Sequence, residues 1–205
     1  MSVINMESKL KTATQILVDG GIVAFPTDTV YCLAAAICHE SAIERIFQIK
    51  GRQTTKALPV LVADSIQMRQ VAEVSSVAEM LVRRFMPGAL TLILPKKPLV
   101  PDLVTGGKPT VAVRIPGHTL ALYLIKAVGS PLTGTSANLS GRGSVTTAME
   151  VESQIGGRID SIVDGGLCPG GIESTIVDLT GLTPRLVRSG AVPKEEIEKI
   201  IGNIQ

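Results

Sequence analysis

The chain has 205 residues, 45% hydrophobic and 19% charged, with 20 Gly and 12 Pro, which excludes disordered and fibrous classes and fits one compact domain over residues 1–205. Its net charge of +2 conceals an asymmetry: residues 45–149 carry thirteen Lys/Arg against four Asp/Glu, and the flanks carry seven against fourteen, so the basic middle reads either as a local anionic-ligand site or as scattered solvated cations. The apolar runs 58–63 and 89–94 fall far short of the roughly 18–20 residues of a membrane span, and residues 1–11 lack the apolar core of an export leader, so no membrane partner and a cytoplasmic location are expected.

Taken in chain order, Leu10, Ala13 and Leu17 fall on one helical face that Gly20-Gly21 closes before an apolar first strand at 22–25. Ile43, Ile46 and Phe47 mark a second helix, 58–63 a strand, Val77, Met80, Leu81 and Phe85 a third helix, and 91–94 another strand. Beyond these come a strand at 110–115 and a helix at 119–128. Short strands at 162–163, 175–179 and 185–187 surround a helix near 146–155. Pro193 sits in the first turn of a closing helix with Ile197, Ile200 and Ile201 inward. The alternation predicts an α/β fold, an open twisted mixed sheet with helices packed around it, in which ligands collect at strand ends.

Several chemistries are excluded by what is missing. Cys32, Cys38 and Cys168 form no C-x-x-C pair and read as free thiols rather than a zinc site. Five aromatics, Phe25, Phe47, Phe85, Tyr31 and Tyr123, are too few for a single-strand RNA stacking platform. His39 and His118 read as surface or cap residues. Gly106-Gly107-Lys108 runs into Pro109, so no P-loop is present, and no G-x-G-x-x-G follows a strand. The segment Gly134-Thr135-Ser136-Ala137-Asn138 lacks the second Gly of a nucleophile elbow. No metal site of the protein's own is expected; Mg²⁺ carried by substrate phosphates remains open.

What remains is a set of polar residues at strand and helix ends. Pro26-Thr27-Asp28-Thr29-Val30-Tyr31 follows the first strand, where its hydroxyls and carboxylate either cap a helix at Thr27 or Asp28 or meet a ligand. Lys50-Gly51-Arg52 with Lys56 closes a helix. Its cations suit either the negative end of the helix dipole or a phosphate group, which Arg52 can grip with two N–H groups while Lys50 and Lys56 add point charges. Thr133-Gly134-Thr135-Ser136-Ala137-Asn138 offers small hydroxyl and amide groups to phosphate or ribose oxygens, or forms an Asx or Ser/Thr turn. Arg114 ends a strand, Glu173-Ser174-Thr175 opens one, and Arg188-Ser189-Gly190 closes one.

In this order, Pro26-Thr27-Asp28-Thr29-Val30-Tyr31, Lys50-Gly51-Arg52 with Lys56, Arg114-Ile115-Pro116, Ser136-Ala137-Asn138, Ser174-Thr175-Ile176-Val177-Asp178 and Arg188-Ser189-Gly190 resemble the YrdC/TsaC-type threonylcarbamoyl-AMP synthases over residues 10–193. The resemblance implies a twisted α/β sheet with a basic concave face. It also implies an activity that joins L-threonine, bicarbonate and ATP, with Mg²⁺ on the phosphates, into threonylcarbamoyl-adenylate and pyrophosphate. Separate threonylcarbamoyl-transferase proteins would then carry the product to position 37 of certain tRNAs. It assigns Arg52, Lys56, Thr110, Ser136, Asn138, Thr146 and Arg188 to ATP, and Thr29, Arg114 and Ser174 to L-threonine. Lys50 joins Arg52 in the catalytic basic motif. Two positions depart from the family pattern: Cys32 replaces the usual Gly, narrowing a close approach, and Ala57 replaces the usual Pro. A related enzyme acting on carbamoyl phosphate or another amine, and a non-catalytic RNA-binding module, are the competing readings.

Overall fold

Strand pleating decides where everything else in this molecule sits, because alternate residues of each strand face opposite ways. The structure, a computed structural model, describes residues 3–205, with side chains from residue 6 onward. Residues 1 and 2, part of the stretch expected to lack an export leader, lie outside the described residues.

The chain opens with α1 (Val3–Val18), β1 (Val23–Phe25) and β2 (Cys32–Ala34). Next come α2 (Glu40–Lys50), β3 (Val60–Leu61), α3 (Ser65–Val71), α4 (Ser76–Phe85) and β4 (Leu90–Pro95). The middle of the chain holds α5 (Asp102–Thr105), β5 (Thr110–Arg114), α6 (Thr119–Val128), β6 (Leu132–Thr133) and β7 (Thr135–Ser136). It closes with α7 (Ala148–Ile155), β8 (Ser161–Ile162), β9 (Thr175–Asp178), β10 (Arg185–Arg188) and α8 (Lys194–Ile201). The predicted helices and strands are all present within a few residues, with Pro193 as the N-cap of α8 rather than inside its first turn. No helix among the described residues is long and apolar enough to cross a membrane.

The fold is α/β and mixed, as expected, but the strands divide into two sheets. One runs β7-β2-β1-β8 and the other β10-β9-β4-β5-β3-β6. Each contains both parallel and antiparallel pairs. The smaller sheet is buried on both faces: Ala24 and Leu33 enter the larger hydrophobic core, whereas Val23, Phe25 and Ala34 enter a second core built with Leu10, Ala13 and Leu17 of α1 and Ala121, Leu124 and Ile125 of α6. Along β4, β5 and β9 the larger sheet commits only one face to the core, through Leu90, Leu92, Leu94, Val111, Val113 and Val177, while Leu61 and Leu132 at its β3–β6 end join the second core. The other face of β4, β5 and β9 is left for a different use.

The sheets meet at residues 132–136. Leu132 and Thr133 pair with β3, and two residues later Thr135 and Ser136 pair with β2. Gly134 is the crossing point, with its N–H bonded to Pro59 O at 2.7 Å. A Cβ at residue 134 would lie 2.5 Å from Leu61 Cγ, inside any real contact distance. The backbone passes from one sheet to the other only because that atom is missing.

Gly134→Ala should therefore destabilise the chain by about 1–3 kcal/mol through overpacking, read as a lower urea midpoint. Adding Leu61→Ala should recover part of the loss. An unchanged midpoint in the single variant would contradict the close approach.

Candidate active site

The uncommitted face of the larger sheet forms the floor of a cleft of about 350 Å³. Thr91 and Ile93 of β4, Ala112 and Arg114 of β5, and Ile176 of β9 line it, together with Leu61, Ser174 and Val187. These residues alternate with the core residues of the same strands. The cleft thus lies along the sheet face and not, as expected, only at strand ends. Its opposite wall carries Tyr31, Cys32, Thr135 and Ser136, where β2 and β7 pair Cys32 with Ser136. Arg188 reaches the cleft through an irregularity: the β9–β10 register shifts between Leu186 and Arg188, placing Arg188 opposite Ile176. Regular alternation would turn Arg188 the same way as Leu186, which packs on the core; the bulge re-aims it.

The loop after β1 supplies hydroxyls to the cleft but caps no helix. Thr27 Oγ1 accepts from the N–H groups of Thr29 and Val30 at 3.1 and 3.3 Å, closing a local turn. Asp28 Oδ1 accepts from Arg114 Nη2 at 2.7 Å and from Gly117 N at 2.8 Å. Arg114, only 7% exposed, also donates from Nη1 to Thr29 Oγ1 at 3.0 Å and from Nε to Gly88 O at 2.9 Å. Three acceptors on two segments fix the plane of this guanidinium. At the other end, Ser174 Oγ and Thr91 Oγ1 lie 2.8 Å apart. Arg188 donates to Ser174 O at 2.8 and 3.1 Å and pairs with the Glu173 carboxylate, whose other oxygen accepts from Ser144 Oγ at 2.7 Å.

A second hollow, about 380 Å³, adjoins the first and shares Arg52, Ser136 and Glu173 with it. Lys50, Lys56, Asn138, Ser140 and Arg142 complete its polar lining. Gly51, at φ 60°, ends α2 in the left-handed conformation and turns the chain so that Arg52 N bonds back to Phe47 O. The Arg52 guanidinium rests on Lys56 O and Ala57 O at 3.3 and 2.9 Å. Position 57 thus contributes a carbonyl, which Ala supplies as well as Pro would.

Lys50 is not the free point charge expected from its place beside Arg52. It is 3% exposed, and its ammonium donates to Ser136 O and, at 2.7 Å, to Asn138 O. Burial, reinforced by the Arg52 charge, draws it down to about 8. Lys50 O in turn accepts from Ser140 N at 2.9 Å, so this residue staples the 136–140 segment to the end of α2. Asn138, 5% exposed, donates from Nδ2 to the carbonyls of Leu139 and Arg142. Its Oδ1 is buried with no partner among the described residues. Both Nδ2 partners are carbonyl oxygens, so this amide cannot be flipped. Burial pushes the Cys32 thiol and the Tyr31 hydroxyl up to about 12 each, leaving both neutral at pH 7.

Of the residues singled out from the sequence, Thr29, Arg52, Arg114, Ser136, Ser174 and Arg188 line the first hollow, and Lys50, Arg52, Lys56, Ser136 and Asn138 the second. Arg52 and Asn138, 86 positions apart, thereby come together. Two residues stay outside. Thr110, at the start of β5, shares the face of Ala112 and Arg114 but lies beyond the lining. Thr146 turns its N–H and hydroxyl to the Glu150 carboxylate at 2.7 and 3.3 Å, before the capping box of α7. Sequence reasoning offered Asp28 as a helix cap or a ligand contact and quoted Glu173 without a role, and it passed over Thr91 and Ser144 as site residues. Asp28 and Glu173 lie within segments already quoted; nothing local marks Thr91 or Ser144.

A family model named Sua5/YciO/YrdC, described as telomere recombination, matches residues 15–190. The threonylcarbamoyl-AMP synthases of Pyrococcus abyssi and Bacillus subtilis are 46% and 43% identical to the chain over 97% of its length. The chain spans 59% and 58% of those relatives. The crystal structure of P. abyssi Sua5 complexed with L-threonine superposes with a TM-score of 0.95, covering 97% of this chain and 59% of that one at 46% identity.

The Lys50 environment predicts a stability signature. The folded chain releases this proton at about 8, whereas the unfolded chain holds it to the ordinary lysine value of 10.5. Its favourable contribution is fully present above 10.5 and is lost as pH falls through 8, on the order of 3 kcal/mol in all. Denaturation midpoints of the wild type should therefore rise between pH 8 and 10.5 relative to those of Lys50→Met. Parallel profiles would show that Lys50 titrates normally.

Proposed function

The chain belongs to the Sua5/YciO/YrdC family, and on that premise we propose that it is an L-threonylcarbamoyladenylate synthase, an ATP-using nucleotidyltransferase acting in tRNA modification. One observation carries the reading: two polar hollows of comparable size share a wall made by Arg52, Ser136 and Glu173. The first suits a small amino acid, having the Arg114 guanidinium for a carboxylate and the hydroxyls of Thr29, Thr91 and Ser174 for a side-chain hydroxyl. The second, with Lys50, Arg52, Lys56 and Arg142 among its lining residues, suits a polyphosphate.

In this reading L-threonine occupies the first hollow and the phosphates of ATP the second. The threonine amine combines with bicarbonate to give a carbamate and water. A carbamate oxygen then attacks the α-phosphorus, and pyrophosphate leaves. No side-chain nucleophile is required, so the protein acts by alignment and charge neutralisation. Arg52 and Lys56 face the phosphates, Ser136 offers a hydroxyl at the seam, and Arg188 braces Ser174 while adding positive charge. Lys50 acts as a positioning residue beneath the 136–138 segment. Asn138 presents an acceptor oxygen, which suits a hydroxyl or amine donor of the nucleotide rather than a phosphate oxygen. Thr110 and Thr146 join the ATP site only if the nucleotide extends past the second hollow.

Mg²⁺ enters as part of the ATP complex, neutralising phosphate charge. Among the described residues no set of three His, Cys, Asp or Glu converges to hold a resident ion. The adenylate then passes to separate threonylcarbamoyl-transferase proteins for transfer to tRNA in the cytoplasm.

The purified chain should release pyrophosphate only with L-threonine, bicarbonate and Mg²⁺-ATP together. Arg52→Ala should lower kcat/KM for ATP by about 100-fold with an unchanged denaturation midpoint, and Ser174→Ala should raise KM for threonine about tenfold. No pyrophosphate under these conditions defeats the proposal. Turnover with carbamoyl phosphate in place of threonine and bicarbonate points to the related enzyme, and salt-dependent RNA binding without turnover to the RNA module.

A further inference from the structure

Glu173 is the one carboxylate among the residues lining either hollow, and it lines both. The first hollow otherwise presents three guanidinium groups, those of Arg52, Arg114 and Arg188. A zwitterion entering such a space has only one way to satisfy both ends. Its carboxylate is drawn to a guanidinium, and its ammonium is repelled everywhere except at Glu173.

The capacity for both contacts is present. Arg114 has five N–H groups and uses three, on Asp28, Thr29 and Gly88, leaving two for a carboxylate. An ionised carboxylate offers about four lone-pair sites. On Glu173, Ser144 takes one at Oε1 and Arg188 one at Oε2, and the side chain remains 36% exposed. Asp28 does not compete for the ammonium, because it is outside the lining and is engaged by Arg114 and Gly117 N.

We infer that Glu173 binds the ammonium of the amino-acid substrate and so orients it, carboxylate toward Arg114 and amine toward the seam between the two hollows. The inference rests on the synthase reading and deepens it. The amine is the group that must become a carbamate facing the α-phosphorus, and Glu173 stands on the wall that separates it from the polyphosphate space. Ser144 and Arg188 hold the carboxylate in place from the 139–147 loop and from β10.

The test compares binding of L-threonine and of (R)-3-hydroxybutanoate, which keeps the carboxylate and hydroxyl but lacks the ammonium, by titration calorimetry on the full chain. The wild type should prefer threonine by at least about tenfold. Glu173→Gln should abolish the preference by weakening threonine alone, and Ser144→Ala, which keeps the carboxylate, should retain it. A Glu173→Gln variant that folds and keeps the preference overturns the inference. Should that variant fail to fold, the wild type decides: equal affinity for the two ligands overturns the inference, and Glu173→Asp, which preserves the charge, must still prefer threonine. A wild-type chain that binds an ATP analogue but neither small molecule removes the synthase reading and the orientation with it.

Discussion

The buried ammonium of Lys50 is the contact on which the site's assembly depends. A cation out of water is costly unless hydrogen bonds replace its hydration, and here two backbone carbonyls replace it while no carboxylate does. The compensation works only if Ser136 O and Asn138 O both turn toward the end of α2. That requirement brings the Ser136–Asn138 segment against Gly51 and Arg52, and so creates the second hollow. It also turns two negative carbonyl oxygens toward a positive charge, removing their repulsion from a space otherwise suited to anions. Lys50 therefore acts on the hollow through the backbone it holds.

The cationic groups facing the first hollow are similarly held in advance of any ligand. Arg114 is fixed by a carboxylate, a hydroxyl and a carbonyl, and Arg188 by Ser174 O and Glu173. Arginine suits this because its planar fork can satisfy several protein acceptors and still present free N–H groups. Groups already locked by the fold have little reorganisation left to undergo when charge develops, which is the source of electrostatic catalysis without a nucleophile.

The regular parts of this arrangement were legible in the sequence because they rest on periodicity. The α6 helix matches its expected span of 119–128, and β4, β5, β9 and β10 fall within a residue or two of theirs. The ordered motifs likewise singled out Arg52, Arg114, Ser136, Ser174 and Arg188, all of which line the first hollow. Two-residue strands such as β6 and β7 carry no period to detect, and the division into two sheets turns on a single close approach of Gly134 to Leu61. The enclosure of Lys50 was not legible because a lysine at a helix end gives no local sign that carbonyls 86 and 88 residues away will meet it. Glu173 and Ser144, 29 residues apart, escaped for the same reason: their significance is a matter of tertiary proximity, which one-dimensional spacing does not encode.

The register shift in β10 bears on how this architecture tolerates changes in chain length. The turn spanning 179–184 joins two strands at the margin of the larger sheet, and residues added there would lengthen a surface loop while leaving both pleats in phase. Removing Val187 would make the pairing regular and leave the arginine opposite Ile176 on the cleft side, whereas a regular register that kept Val187 would turn the arginine to the side of Leu186, exchanging a charged wall for a buried cation. Length change in this hairpin is therefore tolerated at its tip, whereas at its bulge the register alone decides which side of the sheet receives the charge, even though both lie within a few positions of one another.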